Sequence, residues 1–348
     1  MKAKLYLSLS LLCALIILTA WIPLQSRSAS LDVLEALAVS QNSLSFSSST
    51  WHIQTVDTAE TVGEWTSIAL DAYGRPYISY YYSGYGSKVK CAWWTGTEWT
   101  IQTVDDASWS ATSIALDANG NPHISYYKCC DYLKYARWTG TGWDIQTVAS
   151  ISGRYSSIAL DANGYPHISY YKEGLAGGLR YARWTGSSWS VDAVDEYGWG
   201  HYTSIVLDAS GNPHISYNFS NGGIRYARRT SSGWVIQNVT TGLDAYYSSL
   251  ALDSNGYPHI SYVVYSGGAS GVLRYAHWTG NYWSHEFVDS PVGGYTSIEV
   301  DINNHPHISY YYYTTRDLRY AHWTGSGWDI ETVDSVGDVG KHSSISLA

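Results

Sequence analysis

Residues Ser113–Trp143 read SIALDANGNPHISYYKCCDYLKYARWTGTGW, and the same phrase recurs along most of the chain. Its aspartate falls at Asp71, Asp117, Asp161, Asp208, Asp253 and Asp301, a period of roughly 44–48 residues, which lies in the range of propeller and array repeats. Each copy carries four short apolar or aromatic runs, here Ser113–Leu116, His123–Tyr127, Leu133–Trp138 and Trp143–Val148. They alternate with a period of two and are broken by Gly, Pro, Asn and Asp, so they predict antiparallel hairpins. Four strands per repeat in an all-β chain is the pattern of a β-propeller blade.

Complete units run from about Trp65 to Asp105, Ala111 to Val148, Tyr155 to Asp195, Tyr202 to Val239, Tyr247 to Asp289 and Tyr295 to Asp334. The chain then gives SSISLA (Ser343–Ala348), a copy of the first strand alone. At the other end Trp51–Asp57 copies the fourth strand, and Ser43–Thr50 is a degraded third. The expectation is therefore seven blades, the last shared by both ends, with Leu34–Val39 as the available second strand. Such sharing ties the ring and covers its edges. The alternative is a truncated propeller of six complete blades.

Within a unit each residue type has a use. Ser113 and Ala115 alternate with Ile114 and Leu116, which suits a first strand with little room on one face. The Asp-x-Asn-Gly turn supplies a side-chain acceptor and a residue that tolerates positive φ. Pro122 opens the second strand, where a missing N–H matters least.

The phrase S-I-A-L-D-x-x-G-x-P-x-I-S-Y resembles the opening hairpin of NHL-type propeller repeats, and is distantly similar to the Asp-box of sialidase-like propellers. The resemblance covers nearly all of the chain after Ser43. It departs from the Asp-box pattern S-x-D-x-G-x-x-W, because Ile114, Ala115 and Leu116 separate Ser113 from Asp117. No sialidase catalytic set can be carried onto this sequence.

Composition narrows the functional classes. The chain holds 33 Tyr and 17 Trp but 3 Phe, only 14% of its residues are charged, and its formal net charge is −9. The acidic excess argues against nucleic acid and anionic membrane surfaces, which attract a basic face. Met1–Lys4 is basic, Leu5–Leu24 is almost unbroken apolar sequence, and Ser28 and Ser30 are small. Residues 1–30 thus predict an export signal cleaved after Ser30, residues 31–42 a linker and residues 43–348 the propeller. The alternative is a membrane anchor at residues 5–24, since that run approaches a bilayer-spanning length. The expected location is secreted or cell-surface.

Cys91, Cys129 and Cys130 form neither a disulfide scaffold nor a zinc spacing. A bridge between adjacent Cys129 and Cys130 would stiffen one loop. The repeated His123, His167, His214, His259 and His307 sit at equivalent positions too far apart to converge on a metal, and predict hydrogen bonds to neighbouring turn aspartates. No cofactor motif is present.

The first-to-second and third-to-fourth turns are nearly constant, whereas the loops on the opposite face vary. Binding residues concentrate in loops held by a rigid scaffold, so function is expected on the variable face. Three residues before each first-strand Ile or Leu stand Trp65, Ala111, Tyr155, Tyr202, Tyr247, Tyr295 and His342. They predict an aromatic collar around the channel mouth, broken at Ala111. Trp109, Cys129, Cys130 and Asp131 flank the break, and Trp199 and His201 lie on the same face. Other loop charges there, Arg154 and Glu173 among them, have no diagnostic spacing. The leading functional expectation is a non-catalytic module binding a glycan or a protein. A hydrolase or lyase with loop-borne acids, and a structural surface protein, are the alternatives.

Overall fold

The computed structural model describes residues 2–8, 14–20, 51–59, 62–107, 111–129, 132–150, 153–174, 177–196, 200–219 and 222–348. Every regular element among them is a β-strand, and none is a helix long and apolar enough to cross a membrane. The quoted unit folds as four antiparallel strands, Thr112–Leu116, Pro122–Lys128, Tyr132–Trp138 and Trp143–Ala149, paired in chain order. Four of the six complete units form separate sheets of this kind. The fifth and sixth are joined, because Trp283–Val300 is the outer strand of one and the inner strand of the next.

The turn chemistry follows the sequence. Asp117 Oδ1 accepts from the Asn119 and Asn121 N–H groups at 2.9 and 2.8 Å, and Gly120 takes a φ of 78°. Burial acts to raise the Asp117 pKa, and the hydrogen bonds from Asn121 and Asn119 outweigh it, so the carboxyl sits below its ordinary range.

Adjacent units pack face to face, and the apolar core lies in the seams between them. One seam joins Val89, Cys91 and Val104 of the first unit to Ile114, Ile124, Tyr126 and Ala136 of the second. Latches between units recur at the seam edge. Tyr80 donates to Asp57 at 2.7 Å, Tyr126 to Asp105 at 2.8 Å, Tyr217 to Asp195 at 2.8 Å and Tyr310 to Asp289 at 2.6 Å. Lys90, Lys128, Arg225 and Arg319 add a positive charge to all four of these acceptors. A charge-assisted hydrogen bond of this kind is worth roughly 1.5–3 kcal/mol net.

The first strands meet around one axis. The second serine of each Thr/Ser-Ser pair accepts a backbone N–H from the following unit: Ile114 to Ser67, Ile158 to Ser113, Ile205 to Ser157, Leu250 to Ser204, Ile298 to Ser249 and Ile345 to Ser297, at 3.1–3.2 Å. A further bond, Ile68 N–H to Ser344 Oγ at 3.3 Å, returns to the start. The ring of first strands is closed. Small residues therefore occur here for a polar reason as well as a steric one.

The closing sheet runs Ser344–Leu347, Ala14–Ala20, Lys2–Ser8, Trp51–Asp57. Its first and fourth strands are the segments expected from the repeat pattern. The stretches expected to supply the second and third, Leu34–Val39 and Ser43–Thr50, lie outside the described residues. Strands from the apolar N-terminal run occupy those two positions.

The histidine expectation needs one correction. Each second-strand histidine bonds to a third-strand tyrosine of its own unit, not to the turn aspartate. The Tyr135 hydroxyl shares a hydrogen bond with His123 Nδ1 and the Tyr181 hydroxyl with His167 Nδ1, both at 2.6 Å. The other ring nitrogen stands 3.6–3.9 Å from the turn carboxylate, beyond hydrogen-bond length. For His123 and His307 that second nitrogen is buried without a hydrogen-bond partner.

Candidate functional site

The collar exists as expected, and the backbone reveals how it is built. Trp65, Tyr155, Tyr202, Tyr247, Tyr295 and His342 all have φ between 50° and 57°. A bulky residue in the left-handed region is a genuine outlier, at a cost of roughly 1–3 kcal/mol each. The strand register shifts at four of these places, between Glu64 and Ser67, Arg154 and Ser157, Tyr246 and Ser249, and Gly294 and Ser297. A bulge re-aims the side chain it carries. Here it turns the ring out of the sheet and over the axis.

The rings touch in sequence around the mouth. Centroid distances are 4.6 Å for Tyr155–Tyr202, 4.4 Å for Tyr202–Tyr247, 5.0 Å for Tyr247–Tyr295, 4.1 Å for Tyr295–His342 and 4.3 Å for His342–Trp65. Burial pushes the Tyr202 and Tyr295 phenols well above their ordinary pKa, with Tyr247 the first-ranked neighbour contributing to both. Burial likewise pushes His342 down to about 3, so its ring is neutral.

Beneath the rings lies a tier of hydroxyls. Thr112 donates to the Trp65 carbonyl at 2.8 Å, Thr203 to Tyr155 at 3.0 Å and Ser343 to Tyr295 at 2.8 Å. These bonds hold the strained carbonyls that follow the collar side chains. Collar and hydroxyls together enclose a cavity of about 240 Å³ on the axis. Among the described residues no carboxylate lines it.

At Ala111 the ring sequence is interrupted, and Trp65 and Tyr155 face each other across 6.1 Å. A second cavity of about 200 Å³ opens there, lined by Trp65, Ala111, Tyr127, Arg154 and Tyr155. Arg154 pairs with Glu173 at 3.1 Å and lies 5.4 Å over the Tyr127 ring. Burial opposes the Arg154 charge, but Glu173 and Tyr127 outweigh it and keep the guanidinium protonated. His201 packs against Tyr155 and Tyr171 at 5.0 and 4.4 Å, and burial lowers its pKa.

The structure thus brings together Trp65, Tyr155, Tyr202, Tyr247 and Tyr295, with His201 beside them. Cys129 is exposed and follows Pro122–Lys128. Trp109, Cys130, Asp131 and Trp199 lie outside the described residues. The sequence had no signal for Tyr127, which occupies an ordinary second-strand position, and none that distinguished Arg154 from other loop charges. Larger hollows open on the face of the constant turns, at the seams between units. They measure about 1070 Å³ between the fourth and fifth units, 600 Å³ between the third and fourth, and 420 Å³ between the fifth and sixth. Each is lined by one or two turn aspartates, a second-strand histidine and at least one tryptophan.

No protein-family model and no curated protein matches the chain. Solved structures do. The fucose-specific lectin of Aleuria aurantia, described as a six-bladed β-propeller with a novel fucose recognition mode, aligns at 16% identity and a TM-score of 0.54, over 80% of this chain and 97% of the lectin. AofleA of Arthrobotrys oligospora aligns at 14% identity and a TM-score of 0.51, over 82% and 92%. A Dyadobacter fermentans protein of unknown function aligns at 12% identity and a TM-score of 0.52, over 78% and 94%. The chain has the β-propeller fold. The hairpin phrase pointed to NHL-type and sialidase-like repeats; at this identity the solved structures show the propeller fold and no narrower kinship.

Proposed function

We propose that this protein is an exported, seven-bladed glycan-recognition module that binds carbohydrate at the collar, with the Ala111 gap as its deepest contact. The observation that carries the reading is the broken ring: six positions hold a strained ring-bearing side chain, and the seventh is an alanine beside a cavity. Strain is retained where the surrounding structure uses it. Sugar rings present apolar C–H faces that stack on aromatic side chains, while hydroxyls seek a few fixed polar groups. Trp65 and Tyr155 supply the faces. Arg154 supplies donors, and Glu173, paired with it outside the lining, balances its charge, so the pocket suits a neutral sugar.

Two further observations support binding over acid–base chemistry. The axial cavity is lined by rings and hydroxyls, and its histidine is held neutral. A point mutant of the Aleuria aurantia lectin has been captured with Fucα1-6GlcNAc and with α-methyl-L-fucoside, which makes fucosylated glycans the first ligands to test. The export part rests on the basic, apolar and small-residue succession of residues 1–30; cleavage after Ser30 removes the strands at Lys2–Ser8 and Ala14–Ala20, so of the closing sheet the exported chain keeps Ser344–Leu347 and Trp51–Asp57.

The deciding variant is Ala111→Tyr, which completes the collar with the residue of four other units. On a glycan array followed by calorimetry, it should keep the fold and weaken the best ligand by ~1–3 kcal/mol. Unchanged affinity in Ala111→Tyr would remove the gap from the site. A second reading places ligand in the seam hollows of the turn face, which recur at three successive seams. It predicts several sites per chain, all indifferent to Ala111→Tyr.

A further inference from the structure

The sixth unit differs from the others along one transverse line. Glu299, His307, His322 and Asp329 stand opposite one another across its four strands. The same line reads Ala115, His123, Arg137, Asp144 in the second unit and Ala251, His259, His277, Ser284 in the fifth. Directly opposed residues have Cβ atoms roughly 4.5–5.5 Å apart, so the sixth unit alone sets two carboxyls and two imidazoles side by side on one face. Glu331, two residues beyond Asp329, shares that face.

We infer that His322, Asp329 and Glu331 bind one divalent transition-metal cation of the zinc class. Their ligand atoms already lie within 4.8 Å of one another. Zinc bonds of about 2.0–2.2 Å at a tetrahedral angle need about 3.4 Å between ligand atoms, so exposed Asp329 and half-buried His322 and Glu331 each have to rotate inward on binding. A second observation points the same way: His322 Nδ1 is buried and has no hydrogen-bond partner. His277 has the same orphaned nitrogen, but it faces Ser284 and lacks the opposed carboxylate. Glu331 is held in place from outside, because Trp51 Nε1 donates to its Oε2 at 2.9 Å. An outer partner of this sort orients a ligating carboxylate.

One imidazole with two carboxylates suits zinc, nickel or manganese better than calcium, which takes six or more oxygens. Three protein ligands leave a coordination position for water. All three ligands belong to the sixth unit, and the closing sheet reaches the site only through Trp51 on Glu331.

The test is calorimetric titration of ZnCl₂ into the EDTA-stripped, dialysed whole chain, with melting curves recorded alongside. His322→Arg restores the arginine of the second, third and fourth units, and Asp329→Ser the serine of the third and fifth, so both substitutions use residues the fold already carries. One zinc per chain is expected, with a higher melting temperature. Each variant should weaken zinc at least as much as the roughly 10–100-fold that loss of an outer-shell partner costs, and should lose the thermal shift while melting as the parent does in EDTA. No zinc binding by the parent overturns the proposal. So does equal binding by Asp329→Ser, which would place the metal on other histidines; that variant decides the matter even where His322→Arg fails to fold.

Discussion

At the scale of single residues, the collar is a case of local preference overruled by position. Tyrosine and tryptophan disfavour positive φ, yet six units place a ring-bearing residue there. The strain can be measured by comparing two truncations at one site. Tyr202→Ala loses the ring and keeps the strain, whereas Tyr202→Gly loses both. Glycine is therefore expected to be the more stable of the two, by ~1–2 kcal/mol, although it is the more flexible residue. Chemical denaturation reads the difference, and a more stable alanine variant would show that the φ values carry no strain. The positions of the collar were legible from their constant offset before each first strand. The backbone that aims them was not, because a left-handed residue leaves a sequence mark only when it is glycine or asparagine. Tyr127 was equally invisible: its neighbour at Tyr171 is the same residue type at the same position, and only the missing ring at Ala111 makes it line a cavity.

At the scale of strands, the repeated phrase carries its own pH dependence. Burial lowers the His123 and His259 pKa to about 4, against an ordinary value near 6.5. Between those values the unfolded chain binds protons that the folded chain does not. Stability therefore falls as pH drops through that window, and is full above it. Melting curves from pH 8 to 4 should be flat down to about 6.5 and then decline, before the carboxylates begin to titrate. A level melting temperature down to pH 4 would mean that these rings are protonated in the fold. Strand number, order and turn type were readable here because alternation, Asn-Gly and Pro each have a local cause. The partners of His123 and Ser113 were not readable. The first is chosen by cross-strand register within the unit, the second by the next unit 45 residues on.

At the scale of the whole molecule, stability depends on one joint resembling all the others. The bonds Thr66 Oγ1 to the His342 carbonyl and Ile68 N–H to Ser344 Oγ join residues 276 apart in sequence. Removing Ser343–Ala348 takes away the Ser344 half of this joint and the buried Ile345, which packs with Leu318, Tyr320 and Val333. Loss of a cooperative melt is expected by calorimetry, and an undiminished melting temperature would show that the ring does not depend on this strand. Sequence bookkeeping located both segments that meet here, because each is a faithful copy of a repeat strand. It placed the two strands between them elsewhere, because residues 34–50 match the repeat as poorly as the apolar run does. The joint also fixes a schedule. A ribosome makes Thr66 long before it makes His342, so throughout synthesis the nascent propeller is an open arc with a waiting edge. Contacts between such distant residues form slowly. A chain that cannot lock until Ser344–Leu347 emerges stays open-ended for as long as the residues before it are being made.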